Sequence, residues 1–296
     1  MKETVLTDQS TPRPPLLKPN GMKARRPIEA SELETIIAFV FDKYGYDFSG
    51  YARASLQRRV NKIAEQLKAK DAQELMEMLR TDDSHFASFL ETVTVNVTAL
   101  FRDPAFFVAL REQVFPMLAT YPIIKVWSAG CATGEEAYSL AILLQEAGLY
   151  QRTRIYATDL NPGNLETARK GIIPLHYMKQ YTQNYQLAGG QRDFSNYYTA
   201  HYDHALLHKD LRRHILFSQH NLVTDQVFNE FQLILCRNVL IYFNKELQDK
   251  VLQLFYYSLG KLGYLALGAK ESLLFTRVKP HFETIDQQHR VFRKKN

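Results

Sequence analysis

Two patterns of apolar spacing divide this chain. Between Ile28 and Val93 the apolar positions recur at helical spacing, most clearly in Leu56, Val60, Ile63 and Leu67, which share one face over Tyr51 to Ala69. Arg58, Arg59 and Lys62 are expected to point away from that face. Ser31 with Glu34 ahead of IIAFVF, and Asp71 with Glu74 ahead of LMEML, have capping-box spacing and predict two more helix starts. Another helix is predicted over Asp82 to Val93.

Beyond Ile123 the pattern changes to short continuous apolar runs separated by helical stretches, as in a sheet covered on both faces. Strands are predicted at Ile123 to Trp127, Arg154 to Thr158, 214–219, 231–236 and 263–269, with 282–286 and 290–294 as an antiparallel pair. Helices are predicted after Gly134, over Pro162 to Lys170 behind Asn161, and over Lys245 to Leu259 behind Asn244. Between the two halves, Thr94, Val95, Val97 and Thr98 are β-branched and poor helix formers. They predict an extended linker over 94–103, after which Asp103 and Pro104 open a helix running to about Tyr121. Residues 171–213, rich in tyrosine and histidine, interrupt the strand–helix rhythm as an inserted subdomain. The organisation expected is therefore a basic, proline-rich disordered tail (1–27), a helical domain (28–93), a linker (94–103) and a doubly wound α/β domain (104–296).

The chemistry starts at VWSAGCATGEEAYS, residues 126–139. Gly130 and Gly134 allow a tight strand-to-helix turn and a close approach of backbone to ligand. The GxxxG spacing is neither the dinucleotide fingerprint nor, lacking a lysine after Gly134, a phosphate loop. Glu135 and Glu136 occupy the first helical turn, where carboxylates cap a helix. They would also repel a pyrophosphate and suit a ligand cationic at that end, such as S-adenosylmethionine (SAM). Asp159 follows the next strand, 25 residues beyond Gly134, where an acid can accept hydrogen bonds from a ribose cis-diol. Strand ends at Asn221 and Leu222 and at Arg237, Asn238 and Tyr242 open onto the same crevice, and the linker brings Asn96, Thr98 and Arg102 beside it.

Charge sharpens the picture locally. The net charge of +6 is spread so that no domain reads as a general nucleic-acid binder. Residues 28–92 carry twelve acids against eight bases, yet 51–70 carry six bases and only Glu65. That reversal suits either a solvated helix face or a docking surface for an acidic helix. Two cysteines, Cys131 and Cys236, form no disulfide framework or metal pattern, and His201, His204 and His208, placed on one helical face, lack a completing acid. With no apolar run of spanning length and no signal-peptide segment, a cytoplasmic protein without membrane insertion is expected.

Taken together, NVTALFR (96–102), SAGCATGEEAYS (128–139), ATD (157–159), NL (221–222) and CRNVLIYF (236–243) resemble the CheR family of chemotaxis-receptor glutamate O-methyltransferases. The resemblance implies a class I SAM-dependent methyltransferase fold, Rossmann-like, with an all-α N-terminal domain and a small inserted β-subdomain. It implies a SAM site, emptied as S-adenosylhomocysteine, lined by Asn96, Thr98, Arg102, Gly130, Glu136, Asp159, Asn221, Leu222, Arg237 and Asn238. Tyr242 corresponds to the tyrosine near the transferred methyl, and Arg102 to the arginine that orients the reacting groups. Arg53, Arg58, Arg59 and Lys62 correspond to the surface that meets the acidic methylation helices in the cytoplasmic domain of methyl-accepting chemotaxis receptors. Asn196 to Ile215 lacks the glycine of family members that tether to a receptor tail, which argues against tethering; a monomer is expected. A methyltransferase of another substrate, or a SAM-binding protein without turnover, remain as alternatives.

Overall fold

The computed structural model describes residues 26–296, so all of the predicted tail except Arg26 and Pro27 lies outside the described residues. Four helices come first: α1 (Ala30–Tyr44), α2 (Arg53–Gln66), α3 (Ala72–Thr81) and α4 (Asp83–Thr94). Helix α1 begins before the expected Ser31, because the Glu32 carboxylate reaches back to the Glu29 amide at 3.0 Å and is itself held by Arg26 at 2.6 Å. At α3 the expected start holds: Asp71 accepts from the Glu74 amide, and the Glu74 carboxylate from the Lys70 amide. Helix α4 ends on Val95 at φ +52°, a left-handed conformation costly for a β-branched residue, and the chain leaves it as an irregular linker.

The helical stretch after the linker comprises α5 (Pro104–Ala109), a π-helical turn (Leu110–Val114) and α6 (Phe115–Leu118). A seven-stranded sheet follows, built from β1 (Ile124–Ala129), β2 (Thr153–Asp159), β6 (Ile215–Gln219), β7 (Phe231–Cys236), β8 (Leu259–Leu267), β9 (Phe282–Asp286) and β10 (Val291–Lys294). Its order is β6-β2-β1-β7-β8-β10-β9; the first five strands are parallel, and β10 runs antiparallel to both β8 and β9. Helices α7 (Glu135–Glu146), α8 (Pro162–Lys170) and α11 (Lys245–Ser258) make the crossovers. The insertion holds α9 (Met178–Leu187), α10 (Lys209–Arg212) and a small antiparallel sheet of β3 (Ile172–Pro174), β5 (His204–Leu207) and β4 (Tyr198–His201). This is the class I methyltransferase architecture with an all-α N-terminal part. Strand β8 starts at Leu259, four residues before the expected Gly263, and leaves no loop after α11.

Alternation along the strands divides the core into two layers. Ile124 and Val126 of β1, Leu233 and Leu235 of β7 and Tyr264 and Ala266 of β8 pack with α7 and the inserted subdomain. Trp127, Ile234, Cys236 and Leu265 face the other way, into one continuous cluster with α11 and with Leu33, Ile36, Leu56 and Val60 of the N-terminal helices. Trp127 is fully buried, and its indole N–H donates to Thr158 Oγ1 at 2.8 Å. The N-terminal helices thus share a core with the sheet, which fixes them against the carboxyl ends of its strands.

Candidate functional site

The site lies where β1, β2, β6 and β7 end. Past Ala129 the chain turns through Gly130 at φ +74° and Gly134 at φ +94°, which lets the amides of Gly130 and Cys131 both donate to the Thr158 carbonyl, at 2.8 and 2.9 Å. A Cβ on Gly130 would lie 2.4 Å from Val239 on the opposite loop. Glu136, in the first turn of α7, accepts from Ser128 Oγ at 2.8 Å and lies 3.5 Å from the Arg237 guanidinium.

Asp159 ends β2 and is 8% exposed. Its Oδ1 accepts from the Asn161 amide and Asn164 Nδ2, and its Oδ2 from the Ala132 amide at 2.9 Å. Burial pushes its pKa above the ordinary aspartate value, against the pull of those donors. Beside it Asn221 closes a turn by accepting from the Val223 amide, and Leu222 is buried in the crevice wall.

The loop after β7 forms the far wall. Arg237 is buried, donates to Asp103 Oδ2 at 2.7 Å and sits 3.9 Å over the Phe106 ring. Asn238 takes φ +62°, and the amides of Asn238 and Val239 donate to the buried Glu271 carboxylate at 3.1 and 2.9 Å. Tyr242 closes a short 3-10 turn (Leu240–Tyr242), and its carbonyl accepts from the Ala52 amide at 2.9 Å. Tyr51 and Phe243 form an antiparallel bridge there, so the start of α2 is pinned to the crevice loop.

The linker completes the enclosure. Thr98 and Arg102 line the crevice, and Arg102 donates to the Val97 carbonyl at 2.8 Å. Asn96 does not face this crevice: it stands in the neighbouring groove beside the β-subdomain and accepts from Asn164 Nδ2 at 2.8 Å, one step removed from Asp159.

Against known proteins, residues 31–94 match the all-alpha domain and residues 96–291 the SAM binding domain of the CheR methyltransferase. The chain belongs to the CheR methyltransferase family. A Pseudomonas putida relative named Cher3 is 48% identical over 263 residues, covering 89% of this chain and 96% of its own. The chemotaxis protein methyltransferase of Listeria monocytogenes is 32% identical over 78% of this chain and 86% of its own, and that of Salmonella typhimurium 30% over 85% and 87%.

The cofactor of this CheR domain is SAM, and the crevice fits it. Two carboxylates, Glu136 and Asp159, stand where a phosphate-binding site would place amides and lysine, and Gly130 leaves space that any side chain would fill. Among the described residues no cluster of three or more His, Cys, Asp or Glu is placed to hold a metal ion. His201 and His204 lie on β4 and β5 and His208 follows β5, so the helical face expected for them does not form. Both cysteines are free and buried, which raises their thiol pKa values.

The expected docking arginines separate. Arg58 and Lys62 are exposed, and Arg53 is paired with Glu34 at 3.0 Å. Arg59 does not point outward. It is 6% exposed, donates to the Val93 carbonyl at 2.7 Å and to Ser55 Oγ, and lies 4.3 Å from the centre of the Tyr242 ring. The error has a physical cause: Arg59 directly precedes Val60 on the helix, and its long side chain reaches the orphan carbonyl at the end of α4. Glu271, Asn164 and Tyr51 escaped the sequence reading. Only Glu271 had a cue, an acid shortly after an apolar strand, as with Asp159.

Proposed function

We propose that this chain transfers the methyl group of SAM to glutamate side chains of chemotaxis receptors, giving methyl esters. The observation that carries this reading is the setting of Arg102. Its guanidinium is half-buried on the crevice wall, bonded to a carbonyl, and among the described residues pairs with no carboxylate. Glu136 and Asp159 line the same crevice. Separated positive and negative groups suit a cationic donor meeting an anionic acceptor.

Bound SAM supplies an electrophilic methyl group on a positively charged sulfur. In this reading Gly130, Glu136, Asp159, Asn221, Leu222, Arg237, Asn238 and Thr98 hold it, with Asp159 on the ribose, and Asn96 acts through Asn164. A glutamate with a pKa of about 4.3 is already ionised at neutral pH, so no residue needs to serve as base. What remains is positioning. Arg102 orients the carboxylate, and Tyr242, backed by Arg59, forms the wall it approaches. The exposed Arg58 and Lys62, with Arg53, present positive charge on the helix whose N-cap, Ala52, is bonded to Tyr242. An acidic receptor helix lying on α2 therefore has a glutamate within reach of the crevice. No helix among the described residues is long and apolar enough to cross a membrane.

Methyl-labelled SAM incubated with receptor-containing membranes tests the reading. Alkali-labile label on receptor glutamates is expected. Label confined to other proteins or small molecules, or tight SAM binding without label, would replace it with one of the alternatives.

A further inference from the structure

One exposed segment has no role in the crevice itself. Strand β8 is parallel to β7, so the loop that follows Leu267 leaves the sheet at the same edge as Gly130, Asp159 and Arg237. Within it Phe275 is fully exposed and Leu274 is 57% exposed, while their neighbours Leu273 and Val278 are buried. Phe275 also adopts φ +63°, a left-handed conformation that disfavours a bulky side chain. The tip thus carries two costs, backbone strain and a hydrated aromatic ring, and no contact within the described residues offsets either.

The tip is nevertheless well held. Thr276 Oγ1 donates to the Leu273 carbonyl at 2.6 Å, the Leu274 amide to Ser272 Oγ at 3.0 Å and the Arg277 amide to Asp249 at 2.8 Å. Three residues before Leu274, Glu271 takes the amides of Gly268, Asn238 and Val239. The base of the tip is therefore tied to the loop that carries Tyr242. That loop shows a further exposed apolar residue, Ile241. Charge around the tip is basic: Lys270 and Arg277 are both exposed, Arg277 resting against Asp249.

We propose that Leu274 and Phe275 are a second docking element for the protein substrate, receiving an apolar stripe of the acidic helix whose glutamate enters the crevice. The inference rests on the reading that the substrate is a receptor glutamate. A preformed, strained aromatic tip loses little conformational freedom on binding, as a contact that contributes strongly to affinity should. The exposed Lys270 and Arg277 favour an acidic partner. Arg53, Arg58 and Lys62 on α2, whose N-cap Ala52 is bonded to the same Tyr242 loop, supply the other contact.

The test compares the unaltered chain with Leu274→Ser/Phe275→Ser and with Phe275→Gly, using receptor-containing membranes and labelled SAM. Both variants are expected to raise the KM for receptor about tenfold, with kcat at saturating receptor and the calorimetric Kd for SAM unchanged. Phe275→Gly relieves the left-handed strain, so its melting temperature should hold or rise while KM worsens, the reverse of what a structural residue would do. An unchanged receptor KM in both variants overturns the docking role. A loss of SAM affinity parallel to the rise in KM also overturns it, because the tip would then act only by disturbing Glu271. If the unaltered chain places no alkali-labile label on receptor, the functional reading falls, and this inference with it.

Discussion

The two loops that face each other across the crevice are built in opposite ways. The loop after β1 turns mainly on glycines, Gly130 and Gly134 with Ala132 at φ +48° between them, and folds its amides onto Thr158 and Asp159 at the end of the adjacent strand before a helix starts at once. The loop after β7 cannot do so. It turns through a non-glycine residue, Asn238, and its amides and carbonyls are taken by Glu271, 33 residues further on, and by Ala52 in the helical domain. A locally encoded wall is robust to what happens elsewhere. A wall held from outside moves with its holders, and it is the one that carries Tyr242.

Gly130 is where the two walls touch, and it should give the largest effect. Alanine there meets Val239 at 2.4 Å and must hold φ +74°. Strain of about 1–2 kcal/mol and overpacking of about 1–3 kcal/mol together predict a stability loss of about 2–5 kcal/mol in urea unfolding. Combining Gly130→Ala with Val239→Ala should restore the overpacking part and leave the strain. If the double variant recovered nothing, the walls would not be in contact through these two residues.

The same contrast explains what could be read from the sequence. GxxxG between an apolar run and a helix, and Asp159 before Asn161 and Pro162, are short-range signals, because the strand, turn and cap that use them are adjacent in the chain. The parallel strands were legible for the same reason, their apolar runs being bounded by turn residues. Glu271, Asn164 and Tyr51 shape the site through contacts with residues from 5 to well over 100 positions away, and periodicity carries no trace of these. Arg59 was misread because helical spacing places the Cα and says little about where a long, flexible side chain finds an acceptor.

Glu271 tests the outside support directly. Glutamine keeps one acceptor oxygen but turns an NH2 group toward amide donors, so at least one of the three bonded amides loses its partner. The expected cost is about 2 kcal/mol in unfolding, together with weaker SAM binding, since Asn238 and Arg237 shift. Change in stability alone, with the SAM Kd intact, would show that the far wall keeps its shape without this carboxylate.

Asp159 belongs to the locally built side, and its smaller effect is one of pH. Burial holds its pKa in the folded, cofactor-free protein above the ordinary aspartate value. This group therefore contributes stability that is fully present below the unfolded pKa and lost as pH rises through the folded pKa. SAM binding has the opposite sign, because a cationic donor and a ribose diol both favour the ionised carboxylate. SAM affinity should accordingly fall as pH drops, beginning above the range of an exposed aspartate, while the stability of the cofactor-free protein gains from this group over the same interval. Each pKa unit separating bound from free protein corresponds to about 1.4 kcal/mol of affinity across the titration. Asp159→Asn should flatten that slope and weaken binding at neutral pH, as calorimetry in several buffers would read. A slope surviving in the asparagine variant would show that Asp159 does not carry the titration, and would take the charge that attracts the donor away from the end of β2.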